Sequence, residues 1–211
     1  MLISISGLPG SGKTTVAKLL SKKLRVPYYS IGGIRREMAK ERGLTLEEFN
    51  ALGEKKGFTD KDVDAWQKER GQKLSKGVFE GRLSFYFIPH SFKIFLKADQ
   101  GVAAKRIFSD EASIRRFEGS FTKLSEVEKS LRQRVASDTK RYIKYYGIDI
   151  FDEQGYNLVI DSTRRSPEQV IAMILAALKK FTPAGEKKSV IHISKQKKNT
   201  VADKKKITKR R

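Results

Sequence analysis

The first 24 residues constrain the fold more than any other part of the chain. A short apolar run, "LISIS", is followed by a glycine-rich turn and then by a segment whose apolar residues recur at helical spacing, namely Val16, Leu19, Leu20 and Leu24. Glycine permits backbone turns that other residues resist, and it lets a ligand approach the main chain closely. The segment therefore predicts a buried strand, a ligand-binding turn and a helix, which is an opening unit of an α/β fold.

The turn matches the pattern G-x-x-x-x-G-K-[ST] with Gly7, Leu8, Pro9, Gly10, Ser11, Gly12, Lys13 and Thr14, and Thr15 follows. In such a loop the backbone N–H groups surround phosphate oxygens, the lysine reaches the β- and γ-phosphates, and the hydroxyl can ligate Mg²⁺. The dinucleotide pattern G-x-G-x-x-G does not fit, because "GLPGSG" has its wider gap first and "GSGKTT" lacks a third glycine. We therefore expect bound Mg·ATP in a switch, a motor or a kinase, and the short chain favours a kinase.

Further segments alternate between strand and helix patterns. Apolar runs at 27–30, 78–80, 92–98 and 157–161 indicate strands, and helical patterns fall at 34–42, 46–55, 61–76, 101–108, 125–146 and 166–180. The last helix has a clear start signal, since Ser166 can cap it, Pro167 suits its first turn and Gln169 completes a capping box. The alternation predicts an α/β domain with a parallel sheet and helices on both faces.

The composition narrows the function classes. There is no cysteine among the 211 residues, which excludes disulfides, thiolate metal sites and a cysteine nucleophile and fits a cytoplasmic protein. No apolar run is long enough for a membrane span, and the strand-like start leaves no room for a secretory signal. The net charge of +21 indicates a polyanionic partner.

The positive charge has two sources. Residues 183–211 hold 11 Lys and Arg against Glu186 and Asp203, a net charge of +9, which leaves +12 on residues 1–182. We expect the catalytic domain to span 1–182 and the segment 183–211 to be a basic, disordered tail with one short strand in "SVIHI" at most. Such a tail could contact nucleic acid.

An arginine-rich stripe follows the long helix at 125–146. One face of this helix carries Leu124, Val127 and Leu131 and then, without leaving that face, Arg134, Asp138, Arg141 and Tyr145. Charged residues on an inward face need an anionic partner or one another. The stripe is therefore either a phosphate clamp, with Asp138 orienting the arginines or reading a substrate group, or an internal salt-bridge network.

Two other charged clusters follow strands. Glu80 and Arg82 come directly after the strand at 78–80, where open α/β sheets bind ligands, so Glu80 could hold Mg²⁺ through water and Arg82 could bind a phosphate. A structural ion pair between these two residues is the alternative. Arg35 and Arg36 follow the strand at 27–30 and are either ligand-binding or part of a solvated helix face.

The segments "GLPGSGKTTVAKLL", "IGGIRREMAKERGLTLEEFN", "FEGRLS" and "ASDTKRYIKYYGIDI" followed by "YNLVIDST" together resemble the archaeal-type cytidylate kinases, a branch of the nucleoside monophosphate kinases. The resemblance covers roughly residues 1–180. It implies a three-layer P-loop kinase fold with a five-stranded parallel sheet, a helical substrate-binding region at about 33–76 and a lid at about 109–122 that includes Arg115 and Arg116. It also implies the reaction ATP + CMP ⇌ ADP + CDP, with dCMP as a second acceptor.

The resemblance also assigns roles to single residues. Gly10 to Thr15 would hold the ATP phosphates, Arg36 and Arg82 would bind the monophosphate, and Arg134 and Arg141 would span the migrating phosphoryl group. Asp138 would lie near the cytidine, and Arg106 falls in the helix before the lid. The chain departs from the family pattern where Glu80 replaces an aspartate, where Gly33 replaces an acidic residue, and where Trp66 lies near the place of an arginine.

Two rival functions remain open at this stage. One is a kinase whose acceptor is AMP or another small molecule, and the other is a P-loop ATPase that binds RNA or ribosomal particles through its basic tail. The sequence favours a monomer over an oligomer.

Overall fold

A computed structural model of the chain describes residues 1–44, 48–49, 52, 58–110, 121–181 and 191–193. Its strands are β1 (Leu2–Gly7), β2 (Tyr28–Ser30), β3 (Gly77–Glu80), β4 (Phe92–Lys97), β5 (Leu158–Asp161) and β6 (Ile191–Ile193). Its α-helices are α1 (Lys13–Leu24), α2 (Ile31–Glu41), α3 (Phe58–Lys73), α4 (Ser84–Phe87), α5 (Gln100–Phe108), α6 (Leu124–Tyr146) and α7 (Pro167–Leu178). A 3₁₀ turn covers Glu153–Gly155.

All strands of the sheet run parallel, in the order β2-β3-β1-β4-β5-β6. β3 and β4 pair with β1 on its two sides. The loop after β1 therefore lies where the order of the strands in the sheet reverses direction. Crevices at such a point, outside the carboxyl ends of the strands, are where open α/β sheets bind ligands. The predicted α/β class and the five-stranded parallel core are confirmed.

The sheet gains a sixth strand from the segment that the sequence assigned to the basic tail. The main chain of β6 pairs with β5 from Leu158–Ile191 to Ile160–Ile193, and Ile193 packs partly buried against the main core. The segment "SVIHI" was expected to form one short strand at most, and the structure places that strand beside β5 at the edge of the sheet.

The core lies between the sheet and the helices on its two faces. One cluster joins β1, β4 and β5 to α1 and α7, with Ile5, Leu20, Ile94, Leu158 and Ile174 at its centre and each less than 1 % exposed. On the other face β3 packs against α2 and α3 through Phe79, Ile31 and Val63. Since both faces are covered, the strands read as continuous apolar runs, as parallel strands do.

The start of α7 follows the prediction closely. Ser166 Oγ accepts a hydrogen bond from the backbone N–H of Gln169, and the Gln169 side chain accepts one from the N–H of Ser166. The predicted helix at 61–76 begins and ends earlier, at Phe58 and Lys73, and α4 has no counterpart in the prediction. Most of the predicted helix at 46–55 lies outside the described residues. Among the residues described, no helix is both long and apolar enough to cross a bilayer.

Candidate active site

The glycine-rich loop between β1 and α1 is held in a shape that only glycine accepts at two points. A Cβ on Gly7 would lie 2.0 Å from the carbonyl oxygen of Leu96 on the neighbouring strand, so a side chain has no room there. Gly12 immediately precedes α1 and has a φ of +85°, in the left-handed region that favours glycine, although the space beside it is open. The loop backbone is thus tied to the sheet at one end and open toward the cleft at the other.

Lys13 lies at the first position of α1, and its side chain folds back over the loop. Its Nζ donates a hydrogen bond of 2.7 Å to the carbonyl oxygen of Leu8. Burial and, after it, the nearby charge of Arg82 lower the pKa of Lys13 to about 7, while Glu80 acts in the opposite direction. A buried amine among guanidinium groups is a site prepared for an anion, because a bound anion would stabilise every one of these charges.

Glu80 ends β3 and faces the loop. Its Oε1 accepts a hydrogen bond from Thr14 Oγ1 at 3.3 Å, and its Oε2 accepts one from Tyr28 at 2.9 Å and one from Ser30 at 3.1 Å. The motif hydroxyl and a carboxylate therefore lie side by side at the mouth of the phosphate loop. Oxygen donors of this kind suit Mg²⁺, which keeps several water ligands and takes its remaining ligands from one or two protein groups and the phosphates.

Asp138 joins two arginines on the opposite wall. It is 6 % exposed on α6, with Oδ2 2.6 Å from Nε of Arg82 and Oδ1 3.3 Å from a terminal nitrogen of Arg141. Arg141 also donates to the phenol oxygen of Tyr142 at 3.0 Å. The structure thus pairs Arg82 with Asp138, not with Glu80 as the structural alternative supposed. Asp138 fixes two guanidinium groups whose other N–H groups can bind phosphate oxygens.

Five further arginines line the same cleft, namely Arg35, Arg36, Arg106, Arg134 and Arg165. Arg134 lies on α6 one turn before Asp138, and Arg36 lies on the first turns of α2. Arg106 on α5 donates to the carbonyl oxygens of Ser162 and Thr163 after β5, at 2.7 and 3.3 Å. Ser162 Oγ in turn donates to the Ser11 carbonyl oxygen at 2.9 Å, which ties the loop to the end of β5.

The cleft has a volume of about 670 Å³, and its lining residues fall into two groups on either side of Lys13 in the order of the strands, which we call its two arms. One arm lies above β4 and β5 and is lined by Ser11, Thr15, Arg106, Ser162, Arg165 and Pro167. The other lies above β2 and β3 and is lined by Ile31, Arg36, Val63, Asp64, Gln67 and Leu83. Two phosphate-bearing molecules can therefore approach the lysine from opposite sides.

Sequence reasoning missed several residues of the cleft. Asp64 and Gln67 on α3 and Arg165 after β5 line it, yet none lies in a motif. The signal on α3 was weak but present, since Val63 and Gln67 are four residues apart and share one helix face. Of the predicted lid at 109–122, residues 111–120 lie outside the described residues, and Arg115 and Arg116 fall within them.

Comparison with known proteins gives a consistent result. Residues 2–164 match the model of the "Cytidylate kinase-like family". The chain is 35 % identical to a cytidylate kinase of Methanobrevibacter smithii over 179 residues, which is 85 % of this chain and 99 % of that protein. It is 37 % identical to a cytidylate kinase of Pyrococcus furiosus over 187 residues, 88 % of this chain and 92 % of that protein.

Solved structures share the fold at much lower identity. A shikimate kinase from Bacteroides thetaiotaomicron superposes with a TM-score of 0.58 at 14 % identity and covers 85 % of this chain and 98 % of its own. A shikimate kinase from Acinetobacter baumannii in complex with shikimate gives 0.56 at 14 % identity, with 85 % and 93 % covered. At such identities the likeness concerns the fold alone.

Proposed function

The chain belongs to the cytidylate kinase-like family, and from this premise we propose that it transfers the γ-phosphoryl group of ATP to CMP and dCMP. The observation that carries the proposal is the place of Lys13, at the junction of the two arms and within electrostatic reach of Arg82, Arg134 and Asp138. A kinase needs the donor loop and the acceptor clamp on one cleft, and a switch or a motor does not. This arrangement favours the kinase over the rival P-loop ATPase.

The donor site is proposed to be the loop itself. The backbone from Gly7 to Thr15 would surround the ATP phosphates, with Lys13 on the β- and γ-phosphates and the base in the arm near Arg106. Thr14 would ligate Mg²⁺ directly and Glu80 through water, which fits their 3.3 Å contact. When bound, the ion would neutralise charge on the phosphate oxygens during transfer.

The acceptor phosphate would be held by Arg36 and Arg82, from the side of the cleft opposite to the loop. Arg134 and Arg141 on α6 would contact the migrating phosphoryl group, whose charge is spread over its oxygens in the transition state. Asp138 would keep Arg82 and Arg141 at fixed positions through its two ion pairs. No side chain needs to remove a proton, because the attacking phosphate oxygen is already anionic, so catalysis rests on alignment and charge stabilisation.

Three larger features belong to the same proposal. The kinase domain would span 1–182, with the acceptor region at about 33–76 and a lid at about 109–122 that excludes water from the closed site. The segment 183–211 would add a basic extension able to contact nucleic acid. ATP and CMP are nucleotides of the cell interior, so we propose that the protein acts in the cytoplasm, as a monomer.

The test is an acceptor panel. Initial rates with saturating Mg·ATP would be measured for CMP, dCMP, UMP, AMP, GMP and shikimate, by following ADP formation and identifying the second product. We expect the highest kcat/KM with CMP and measurable turnover with dCMP. A preference for AMP or for a non-nucleotide acceptor would overturn the acceptor assignment and leave the kinase assignment intact, and ATP consumption that no acceptor stimulates would overturn both.

A further inference from the structure

The arm of the cleft above β2 and β3, called the acceptor arm from here on, is lined in part by α3, where two polar side chains lie on one helix face. Asp64 and Gln67 are three residues apart and both line the cleft, next to the apolar Val63. Gly81 and Leu83, between β3 and α4, line the same arm. If the acceptor phosphate is bound at Arg36 and Arg82, we expect the base of the acceptor in the part of this arm that α3 lines.

The Gln67 side chain is held in one orientation. It is 1 % exposed, and its Oε1 accepts a hydrogen bond of 2.9 Å from the hydroxyl of Ser84, which is fully buried at the start of α4. One turn further along α3, a Cβ on Gly71 would lie 2.8 Å from Ile88, so the absence of a side chain there lets α3 approach the segment after α4. With Oε1 engaged by Ser84, the amide presents its Nε2 hydrogens as donors to the cleft that Gln67 lines.

Asp64 is held from the other side. The phenol of Tyr146, in the last turn of α6, donates a hydrogen bond to its Oδ2. A carboxylate offers about four lone-pair positions, so it can accept from a ligand while it keeps this bond. In the part of this arm that α3 lines, Asp64 therefore offers a hydrogen-bond acceptor and Gln67 a hydrogen-bond donor, each held in place by a neighbouring hydroxyl.

This pattern matches the hydrogen-bonding edge of cytosine. Cytosine offers an exocyclic N4 amino donor beside the N3 acceptor, whereas uracil offers an O4 acceptor beside an N3–H donor, so uracil mismatches both side chains. Adenine has the same order as cytosine at N6 and N1, and its larger ring would have to be excluded by the walls, where Ile31, Val63 and Leu83 line the arm.

We propose that Asp64 and Gln67 read the base of the acceptor nucleotide, with Asp64 accepting from the 4-amino group and Gln67 donating to N3 of cytosine. The inference rests on the proposed function and names the residues that give that function its preference for cytosine over uracil. Asp64 and Gln67 are specificity residues in this account, because neither touches the reacting phosphates.

The test compares kcat/KM for CMP and UMP in the full chain and in Asp64→Asn and Gln67→Glu. Asn keeps an oxygen for Tyr146 but offers a donor to O4 of uracil, so the CMP-to-UMP ratio should fall at least about tenfold, the loss expected for one charged hydrogen bond. Glu keeps an oxygen for Ser84 but turns a second oxygen toward N3, so kcat/KM for CMP should fall by about tenfold or more. The KM for ATP should stay unchanged in both.

Asp62→Asn is the matched control. Asp62 lies on the same helix, but its carboxylate pairs with Arg42 at 2.8 Å on the exposed surface, so the ratio should not change. Thermal unfolding of each variant shows whether it is folded. A readout that needs no variant is the activity of the full chain with the CMP analogue lacking the 4-amino group and with 3-deaza-CMP, each of which should lose about tenfold in kcat/KM.

The outcomes separate the two claims. If the full chain phosphorylates CMP but Asp64→Asn keeps its CMP-to-UMP ratio, or if both analogues react as well as CMP, the base is read elsewhere and the inference is wrong. If the full chain phosphorylates no nucleoside monophosphate, the proposed function fails and the inference fails with it.

Discussion

Lys13 is a buried lysine whose amine lies near two guanidinium groups, those of Arg82 and Arg134. Burial and the neighbouring arginine lower its pKa to about 7, so the empty site holds a weakly basic amine where an ordinary lysine would be fully charged. A bound triphosphate would reverse this by favouring the charged form. The same side chain is thus costly in the empty protein and favourable in the complex.

Replacing Lys13 tests both its role in phosphoryl transfer and its cost to the stability of the free protein. Lys13→Ala should lower kcat at least about 100-fold, since it removes a preorganised cation from the migrating phosphoryl group. It should leave the thermal midpoint of unfolding unchanged or raised, because a buried charge of lowered pKa destabilises the fold. Steady-state kinetics and a melting curve suffice, and a rate within threefold of the parent would contradict the assignment.

The pKa of Lys13 also predicts a linkage between proton and ATP binding. Below pH 7 the amine is charged both before and after binding; above pH 7 the free site is largely neutral, and binding must take up a proton. ATP affinity should therefore fall as the pH rises above 7, by at most about tenfold per pH unit. Calorimetry at pH 8 in two buffers of different ionisation enthalpy measures the uptake directly.

Lys13→Ala is the control for this linkage, since it lacks the titrating amine and should show no uptake of this origin. Equal binding enthalpies in the two buffers for the parent chain would mean that the amine keeps the same protonation state in the free and bound protein.

At the scale of elements, α6 places the arginine stripe that the sequence had indicated along the cleft. The helix is anchored at its start by Val127 and Leu131, which pack against α5, and its later turns carry Arg134, Asp138 and Arg141 over the cleft. The two alternatives left by the sequence, a clamp and a salt-bridge network, turn out to be compatible. Asp138 forms the network and the arginines line the cleft at the same time.

Substitutions on α6 distinguish a catalytic clamp from a structural one. Arg134→Ala should lower kcat by about 100-fold with little change in ATP affinity, because the guanidinium acts on charge that develops in the transition state. Arg132→Ala removes the same group from an exposed position two residues earlier and should leave the kinetics unchanged. Loss of stability in Arg134→Ala with an unchanged kcat would assign Arg134 to the structural network instead.

Local signals explain which elements could be predicted from the sequence. The capping box of Ser166 and Gln169 and the loop before Lys13 depend on residues close together in the chain, and both are found where predicted. The pairing of Arg82 with Asp138 joins the segment after β3 to α6, and the hydrogen bond of Gln67 with Ser84 joins α3 to α4. Contacts of this kind depend on how the helices pack over the sheet, so no spacing in the sequence reveals them.

At the scale of the whole molecule, the boundary of the catalytic domain carries the next prediction. A chain ending at residue 193 keeps β6 and should retain full CMP phosphorylation. A chain ending at residue 183 loses β6, so we expect activity with a lowered melting temperature, because Ile193 no longer packs on the core and the edge of β5 is open. If the chains ending at residues 193 and 183 both lose activity, part of the segment beyond residue 193 belongs to the catalytic domain.

The same truncations test the basic extension. Residues 194–211 carry nine Lys and Arg and one Asp, so their removal should weaken binding to RNA or DNA and reduce its salt dependence, because fewer phosphate contacts release fewer counterions. The remaining chain stays basic and should bind weakly. The measurement is a titration of RNA or DNA with the full chain and with the chain ending at residue 193, at two salt concentrations. Equal binding by the two chains would assign the nucleic-acid affinity to residues 1–193.

The central claim is that one cleft moves a phosphoryl group from ATP to CMP. The most direct measurement is the product balance of a single reaction with ATP, CMP and Mg²⁺, resolved by chromatography beside a reaction without CMP. The account predicts ADP and CDP in equal amounts, with ATP loss at least about 100-fold slower when CMP is absent, because the site assembles around the acceptor and excludes water. ADP formation without CDP, or at the same rate with and without CMP, would contradict it.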